Sequence, residues 1–196
     1  MTFLVLEGFS GTGKTTLARH LEERGWLRLQ ESAHALPDHV PVAEHGDTYS
    51  DYSLLGTTLA YSSAISRLRK TRDLVSEGYL LSDLAYAKIR FELKKSTAYR
   101  ALLTFCREVL KNPEVRPDLY IILEAQHNTP DNRPVRKDGK ARRMAMFSRA
   151  KYYAALAEVH KDLGELNAER VYTDSDSRVT LKTVLALMKR RNVFKQ

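Results

Sequence analysis

The stretch that decides the fold is Gly8-Phe9-Ser10-Gly11-Thr12-Gly13-Lys14-Thr15. It matches the P-loop pattern of a glycine, four residues and then Gly-Lys-Ser/Thr. The apolar run at residues 3–6 before it is typical of a buried parallel strand. Leu17 and Leu21 after it lie four residues apart, on one face of a predicted helix. Strand, glycine loop and helix therefore come in the order that a phosphate-binding loop requires.

The loop chemistry gives each of its residues an expected task. Glycines take backbone angles that are closed to other residues, so the loop amides and the helix N-terminus can approach an anion closely. Lys14 is expected to reach the β/γ-phosphates of ATP, and the Thr15 hydroxyl is expected to ligate Mg²⁺. A plain glycine turn is the alternative, but it does not require Lys-Thr at this spacing. The predicted nucleotide-binding residues are Gly8, Ser10, Gly11, Thr12, Gly13, Lys14, Thr15 and Thr16.

The composition is that of one globular domain spanning residues 1–196. Of the 196 residues, 43% are hydrophobic and 29% are charged, which is enough for a real core. The one cysteine, Cys106, lies in an apolar stretch and favours a core position in a reducing, cytoplasmic setting. No apolar run approaches the roughly 18 residues of a spanning helix, and a strand is predicted from residue 3. We therefore expect neither a membrane segment nor a signal peptide.

Charge is distributed unevenly along the chain, whose formal net charge is +8. Residues 1–60 carry four basic and eight acidic side chains, a net of −4, whereas the remainder carries 28 basic and 16 acidic ones, a net of +12. Such an imbalance favours polyanionic ligands, from nucleotide phosphates up to nucleic acid, and keeps DNA open as a partner. A solvated basic surface is the alternative.

Two acids are candidate site residues because they follow predicted strands. Glu31 follows a short strand predicted at residues 26–30, and ligands of open parallel sheets bind beyond the carboxyl ends of the strands. We expect Glu31 to orient or deprotonate an acceptor, with a plain loop residue as the alternative. Residues 79–83 predict a buried strand that ends in Asp83, the Walker B arrangement, in which Asp83 holds Mg²⁺ opposite Thr15. A helix N-cap is the alternative role for Asp83.

The remaining periodicities complete an alternation of strands and helices. Residues 174–177 hold an Asp/Ser cluster typical of a helix N-cap. Further helices are predicted at residues 50–77, 85–96, 99–110 and 144–163, a last helix follows the cluster, and further strands are predicted at residues 119–123 and 171–173.

Residues 128–150 contain a basic stretch that suits a lid. Its early part lacks hydrophobic periodicity, which predicts a loop. Arginines that close over a transferring phosphoryl group neutralise its charge, and we assign this task to Arg142 and Arg143. A solvated loop is the alternative. The basic side chains of the stretch are Arg133, Arg136, Lys137, Lys140, Arg142 and Arg143.

Taken in order, these motifs resemble the thymidylate kinase and deoxynucleoside kinase branch of the P-loop kinases. Residues 3–16 are similar to the opening of that branch, and Gln30-Glu31-Ser32 to its acidic residue after the second strand. Residues 78–86 are similar to its segment with an Asp-Arg pair, and residues 116–123 to the Pro-Asp start of its fourth strand. The resemblance spans nearly the whole chain. It implies a three-layer α/β fold, with a five-stranded parallel sheet in the order 2-3-1-4-5 flanked by helices.

Two departures from the family pattern concern the acceptor. Leu84 stands where the family has an arginine that contacts the acceptor or its phosphate, and the Arg-Glu-Pro motif is reduced to Gln30-Glu31-Ser32. These departures leave room for an acceptor other than thymidylate. The branch also includes kinases that act on unusual bases in DNA, such as hydroxymethyluracil.

Together, motifs and resemblance predict an ATP- and Mg²⁺-dependent kinase with a nucleotide-like acceptor. The expected metal ligands are Thr15 and Asp83. One alternative is a kinase that acts on a modified base or an end within DNA. Another is a nucleotide-binding switch with slow hydrolysis, which would need loops ordered by the γ-phosphate. The expected catalytic residues are Lys14, Glu31, Asp83, Arg142 and Arg143.

Overall fold

The computed structural model describes residues 1–31, 48–125, 148–164, 166–173 and 176–193. Within these ranges the strands are β1 Phe3–Glu7, β2 Leu27–Leu29, β3 Leu74–Glu77, β4 Leu119–Ala125 and β5 Ala168–Thr173. The helices are α1 Lys14–Glu22, α2 Thr48–Leu68, α3 Leu80–Glu92, α4 Tyr99–Lys111, α5 Arg149–Leu163 and α6 Ser177–Arg190.

The strands form one parallel sheet in the order β2-β3-β1-β4-β5, which confirms the predicted fold class and strand order. The central strand β1 pairs with β3 on one side and with β4 on the other. Because the strands are parallel, their carboxyl ends all lie at the same edge of the sheet. Glu7 of β1 and Glu77 of β3 therefore end their strands side by side, at the edge where ligands of such sheets bind.

Alternate residues of β1 face opposite layers of helices. Phe3 and Val5 belong to a core cluster built with α2, α3, α4 and α5. Leu4 and Leu6 belong to a second cluster on the other face, built with α1 and α6. All four side chains are fully buried, as expected for a central parallel strand covered on both faces. Helices on both sides of the sheet give the predicted three layers.

The prediction of a strand at residues 79–83 is wrong. The strand is Leu74–Glu77, and Asp83 lies in the first turn of α3. Short apolar runs do not distinguish a buried strand from a buried helix, and Leu80 and Leu81 are buried on the helix instead. The helix predicted at residues 50–77 is also too long, because α2 ends at Leu68 and β3 follows it.

Several smaller predictions can be compared with the described residues. Cys106 is fully buried, as predicted. Asp176, in the predicted capping cluster, accepts a hydrogen bond from the Arg178 amide at 2.8 Å as the N-cap of α6. Of the predicted lid, only residues 148–150 are described, and Arg142 and Arg143 lie outside the described residues. None of the helices in the described ranges is long and apolar enough to cross a membrane.

Candidate active site at the carboxyl edge of the sheet

The phosphate-binding loop leaves β1 at Gly8 and enters α1 at Gly13. A Cβ atom at Gly8 would lie 2.6 Å from the Leu123 carbonyl oxygen of β4, so only glycine allows this close approach. Gly13 is the N-cap of α1 and has a φ of 90°, which favours glycine. It provides no side-chain cap for the helix. The first amides of α1 are thus left to an anion in front of the helix.

Lys14 folds back over the loop that precedes it. Its Nζ atom donates to the Gly8 carbonyl oxygen at 2.5 Å and to the Phe9 carbonyl oxygen at 3.4 Å. The Phe9 carbonyl also accepts from the Thr12 hydroxyl at 2.9 Å. The cation of Lys14 is therefore held directly above the phosphate-binding loop, where a P-loop lysine meets phosphate oxygens.

Thr15 is paired with an acid that the sequence analysis missed. Its hydroxyl donates to the Glu77 carboxylate, at the carboxyl end of β3. The other oxygen of Glu77 accepts from Arg28 Nε of β2 at 2.6 Å, and only 7% of the Glu77 side chain is exposed. The signal that could have found it is the short run Leu74-Val75 before Ser76 and Glu77, hidden by the helical pattern that extends across it.

Asp83 lies on α3 and points toward the side of the site formed by β2 and α2. It accepts a hydrogen bond from the Thr58 hydroxyl of α2. Burial raises the pKa of Asp83 to about 7, against the lowering effect of the Thr58 hydrogen bond, and the negative charge of Glu31 raises it further. The Thr15 hydroxyl binds Glu77 and not Asp83, so the metal role of Asp83 stays a prediction without a partner at Thr15.

Glu31 follows β2, as the sequence predicts, and lies against the turn between β3 and α3. A Cβ atom at Gly78 would be 3.7 Å from Glu31 Cγ, which locates the Glu31 side chain next to this turn. Its charge acts on Asp83 and on Tyr86 of α3. The fold thus brings together two of the predicted site residues, Glu31 and Asp83, which are far apart in the sequence.

Glu7 is a fully buried acid between the loop and α3. Its carboxyl group accepts from the Tyr79 amide at 3.1 Å and from the Ser82 hydroxyl. Burial raises the pKa of Glu7 to about 8, although the Ser82 hydrogen bond and the charge of Lys14 act in the opposite direction. Because Tyr79 is the N-cap of α3, Glu7 accepts a hydrogen bond at the start of the helix that carries Asp83.

A buried ion pair lies behind Asp83. Arg90 Nε of α3 donates to Asp51 Oδ1 of α2 at 2.6 Å, and both side chains are buried. The positive charge of Arg90 lowers the pKa of Asp83, and the negative charge of Asp51 raises it. On this side of the site, the cation of Arg90 is therefore already bound to an acid of the protein.

The residues of the loop, together with Glu77, fit a nucleotide and a magnesium ion. Loop amides and Lys14 suit phosphate oxygens, and the neighbouring oxygens of Thr15 and Glu77 suit a hard cation such as Mg²⁺. A central strand that leads through a P-loop into a helix, within a parallel sheet of order 2-3-1-4-5, defines the P-loop kinase fold.

Solved structures with this fold cover nearly the whole chain. A thymidylate kinase from Candida albicans has a TM-score of 0.75 at 14% identity, covering 98% of this chain and 92% of its own. A deoxyadenosine kinase from M. mycoides with bound dATP has a TM-score of 0.67 at 16% identity, covering 96% and 100%. The NadR protein in complex with NR has a TM-score of 0.71 at 15% identity, covering 99% of this chain and 51% of its own. No protein-family model and no curated protein sequence matches the chain.

Proposed function

We propose that the protein is a kinase that uses ATP and Mg²⁺ to phosphorylate a nucleoside- or nucleotide-like acceptor. One observation carries this proposal: the loop with Lys14 and the Thr15–Glu77 pair shares one edge of the sheet with Glu31 and Asp83. A phosphate-binding loop and a pair of acids on one edge suit phosphoryl transfer to a hydroxyl group. The thymidylate kinase and the deoxyadenosine kinase with the same fold support an acceptor of the nucleotide type.

In the proposed reaction, the loop binds the phosphate donor, ATP. The amides from Ser10 to Thr16 and the Lys14 ammonium would hold the phosphates of ATP. Thr15 and Glu77 would hold Mg²⁺, which neutralises charge on the phosphates when it is bound. We favour Glu77 over Asp83 as the acid of this pair, because Glu77 ends the neighbouring strand and accepts from the Thr15 hydroxyl.

In the proposed reaction, Glu31 and Asp83 act on the acceptor. As the acceptor oxygen bonds to the γ-phosphorus, its proton passes to the Glu31 carboxylate, and ADP leaves with the bridging oxygen. Asp83, with a pKa raised to about 7, is partly protonated near neutral pH and is able both to donate to the acceptor and to accept from it. Arg142 and Arg143 stay proposed as residues that cover the phosphoryl group.

A second candidate function, transfer to a base or an end within DNA, is favoured by the charge of α6. This helix contains no acidic residue, and its exposed positions include Arg178, Lys182 and Lys189. Helical spacing aligns these three positions along one face. A row of cations suits the backbone of a polyanion.

One assay distinguishes these candidates: transfer of label from γ-labelled ATP to deoxynucleosides, to their monophosphates and to duplex DNA containing hydroxymethyluracil. We expect Mg²⁺-dependent label on a mononucleoside or mononucleotide. Label in DNA would establish the second candidate, provided that DNA affinity falls with salt at a slope near −0.9 per neutralised phosphate. Hydrolysis of ATP with no labelled acceptor would contradict a kinase and favour a switch.

A further inference from the structure

Two neighbouring tyrosines of α5 reach different halves of the candidate site. The Tyr153 hydroxyl donates to the Leu123 carbonyl oxygen at 2.5 Å and accepts from the Phe9 amide at 3.3 Å. The Tyr152 hydroxyl lies 2.9 Å from Ser82 Oγ. The first contact is with the phosphate-binding loop, and the second is with α3, which carries Asp83. Neither Tyr152 nor Tyr153 is among the residues that the proposed reaction uses.

The Tyr153 hydroxyl lies where the loop leaves β1 and touches β4. Its donor and acceptor capacities are both used, because it joins the Phe9 amide to the end of β4. The Phe9 carbonyl accepts in turn from Thr12 and Lys14. The backbone of Phe9 is thus held at its amide by Tyr153 and at its carbonyl by two residues of the loop. A shift of Phe9 would move the second, longer contact of the Lys14 ammonium, next to its 2.5 Å bond to the Gly8 carbonyl.

The Tyr152 hydroxyl acts on the other half through Ser82. Ser82 Oγ hydrogen-bonds both to the Tyr152 hydroxyl and to the Glu7 carboxyl group. Ser82 directly precedes Asp83 in the first turn of α3. The chain Tyr152–Ser82–Glu7 therefore fixes the start of α3, and with it the position of Asp83 at the acceptor side.

We propose that Tyr153 is a positioning residue for ATP and that Tyr152 is a positioning residue for the acceptor. The inference rests on the proposed function, since it assigns the two hydroxyls to the two substrates of that reaction. Helix α5 thereby joins the halves: both hydroxyls are on one rigid helix and one residue apart. A movement of α5 would change the loop and α3 together.

Removing each hydroxyl alone leaves the ring contacts of the pair in place. The Tyr152 ring lies 5.6 Å from the Phe9 ring and 5.2 Å from the Tyr86 ring, between centroids. The Tyr152 and Tyr153 rings lie 5.3 Å apart. Tyr153→Phe and Tyr152→Phe keep these packed rings, so both variants are expected to fold. Tyr172→Phe is a matched control, because the Tyr172 side chain is 62% exposed and belongs to β5.

The test compares the wild type with the three variants in two measurements. Calorimetry gives the Kd of MgATP, and steady-state kinetics give KM and kcat with deoxyadenosine and thymidylate as acceptor probes. We expect Tyr153→Phe to raise the Kd and KM of ATP about fivefold, the effect of one lost hydrogen bond, with the acceptor KM unchanged. Tyr152→Phe should lower kcat/KM for the acceptor by about the same factor with the ATP Kd unchanged. Tyr172→Phe should change neither.

Equal ATP affinity in the wild type and Tyr153→Phe would overturn the inference. A lower melting temperature alone would not rescue it, because the hydroxyl would then only stabilise the fold. The reverse pattern, with Tyr153→Phe changing only the acceptor kinetics, would overturn it too. A wild-type protein that binds no MgATP would contradict the proposed function itself, so the two failures are distinguishable.

Discussion

The donor half and the acceptor half of the candidate site are built in different ways. The donor half is built on one continuous segment, residues 8–16, and Glu77 of β3 joins it through the Thr15 hydroxyl. The acceptor half is assembled from Glu31 after β2, Thr58 of α2 and Asp83 of α3, and even the bond between Thr58 and Asp83 spans 25 residues. A continuous segment carries a signature in its spacing, whereas a set of distant side chains becomes a site only when the chain folds.

The two halves also differ in charge. The donor half offers amides and the Lys14 ammonium to an anion. The acceptor half presents the carboxyl groups of Glu31 and Asp83, and among the described residues the Arg90 cation behind Asp83 is bound to Asp51. Burial raises the pKa of Asp83 to about 7 and that of Glu7, at the junction of the halves, to about 8. We therefore expect Asp83 and Glu7 to hold a proton near neutral pH.

The largest expected effect concerns the donor half. Lys14→Ala removes the cation that we propose faces the phosphates of ATP, so we expect transfer to slow by about a hundredfold or more. Thermal melting should change little, because among the described residues the Lys14 ammonium donates to loop carbonyls, and Lys14 is half-buried. Near-normal turnover in this variant would mean that the loop is a plain glycine turn.

A second variant pair tests which acid belongs to the donor half. Glu77→Gln should lower the apparent affinity for Mg²⁺ in ATP binding by about tenfold, because Glu77 accepts from the Thr15 hydroxyl. Asp83→Asn is the matched variant and should leave the Mg²⁺ titration unchanged. If only Asp83→Asn shifts that titration, Asp83 is the metal ligand and the assignment of Glu77 fails.

A smaller effect is expected from the junction residue Glu7. Its folded-state pKa is about 8 against an ordinary value of 4.5, so the folded protein keeps a proton that the unfolded chain releases between these values. The stability of the wild type therefore falls as the pH rises from about 4.5 to about 8. Glu7→Gln lacks this ionisation and should gain a few degrees in melting temperature relative to the wild type at pH 8.

Melting curves of both proteins between pH 5 and pH 8.5 check this prediction. The difference should be small at the acid end, where the Glu7 carboxyl is neutral, and should grow as the pH rises. A difference that does not depend on pH would mean that Glu7 has the same protonation in the folded and unfolded states.

The contrast between the halves also explains what the sequence could predict. The loop, its strand and the order of the sheet follow from the spacing around Lys14 and from the resemblance of motifs in order. The same pattern of strands predicts the position of Glu31 after β2. The role of Glu77 is not predicted, because Leu74–Glu77 is a short strand with two apolar residues and lies within the helix predicted at residues 50–77. The partners of Asp83, above all Thr58, depend on tertiary packing that no local pattern encodes.

The most direct test of the divided site is the Kd of MgATP and the transfer rate of Glu31→Gln, measured beside Lys14→Ala. Glu31 lies next to Gly78 at the acceptor side, so Glu31→Gln should lose about a hundredfold in transfer rate through the lost base. Its Kd for MgATP should equal that of the wild type, whereas Lys14→Ala should lose both affinity and rate. A large loss of ATP affinity in Glu31→Gln, with unchanged acceptor kinetics, would contradict the account.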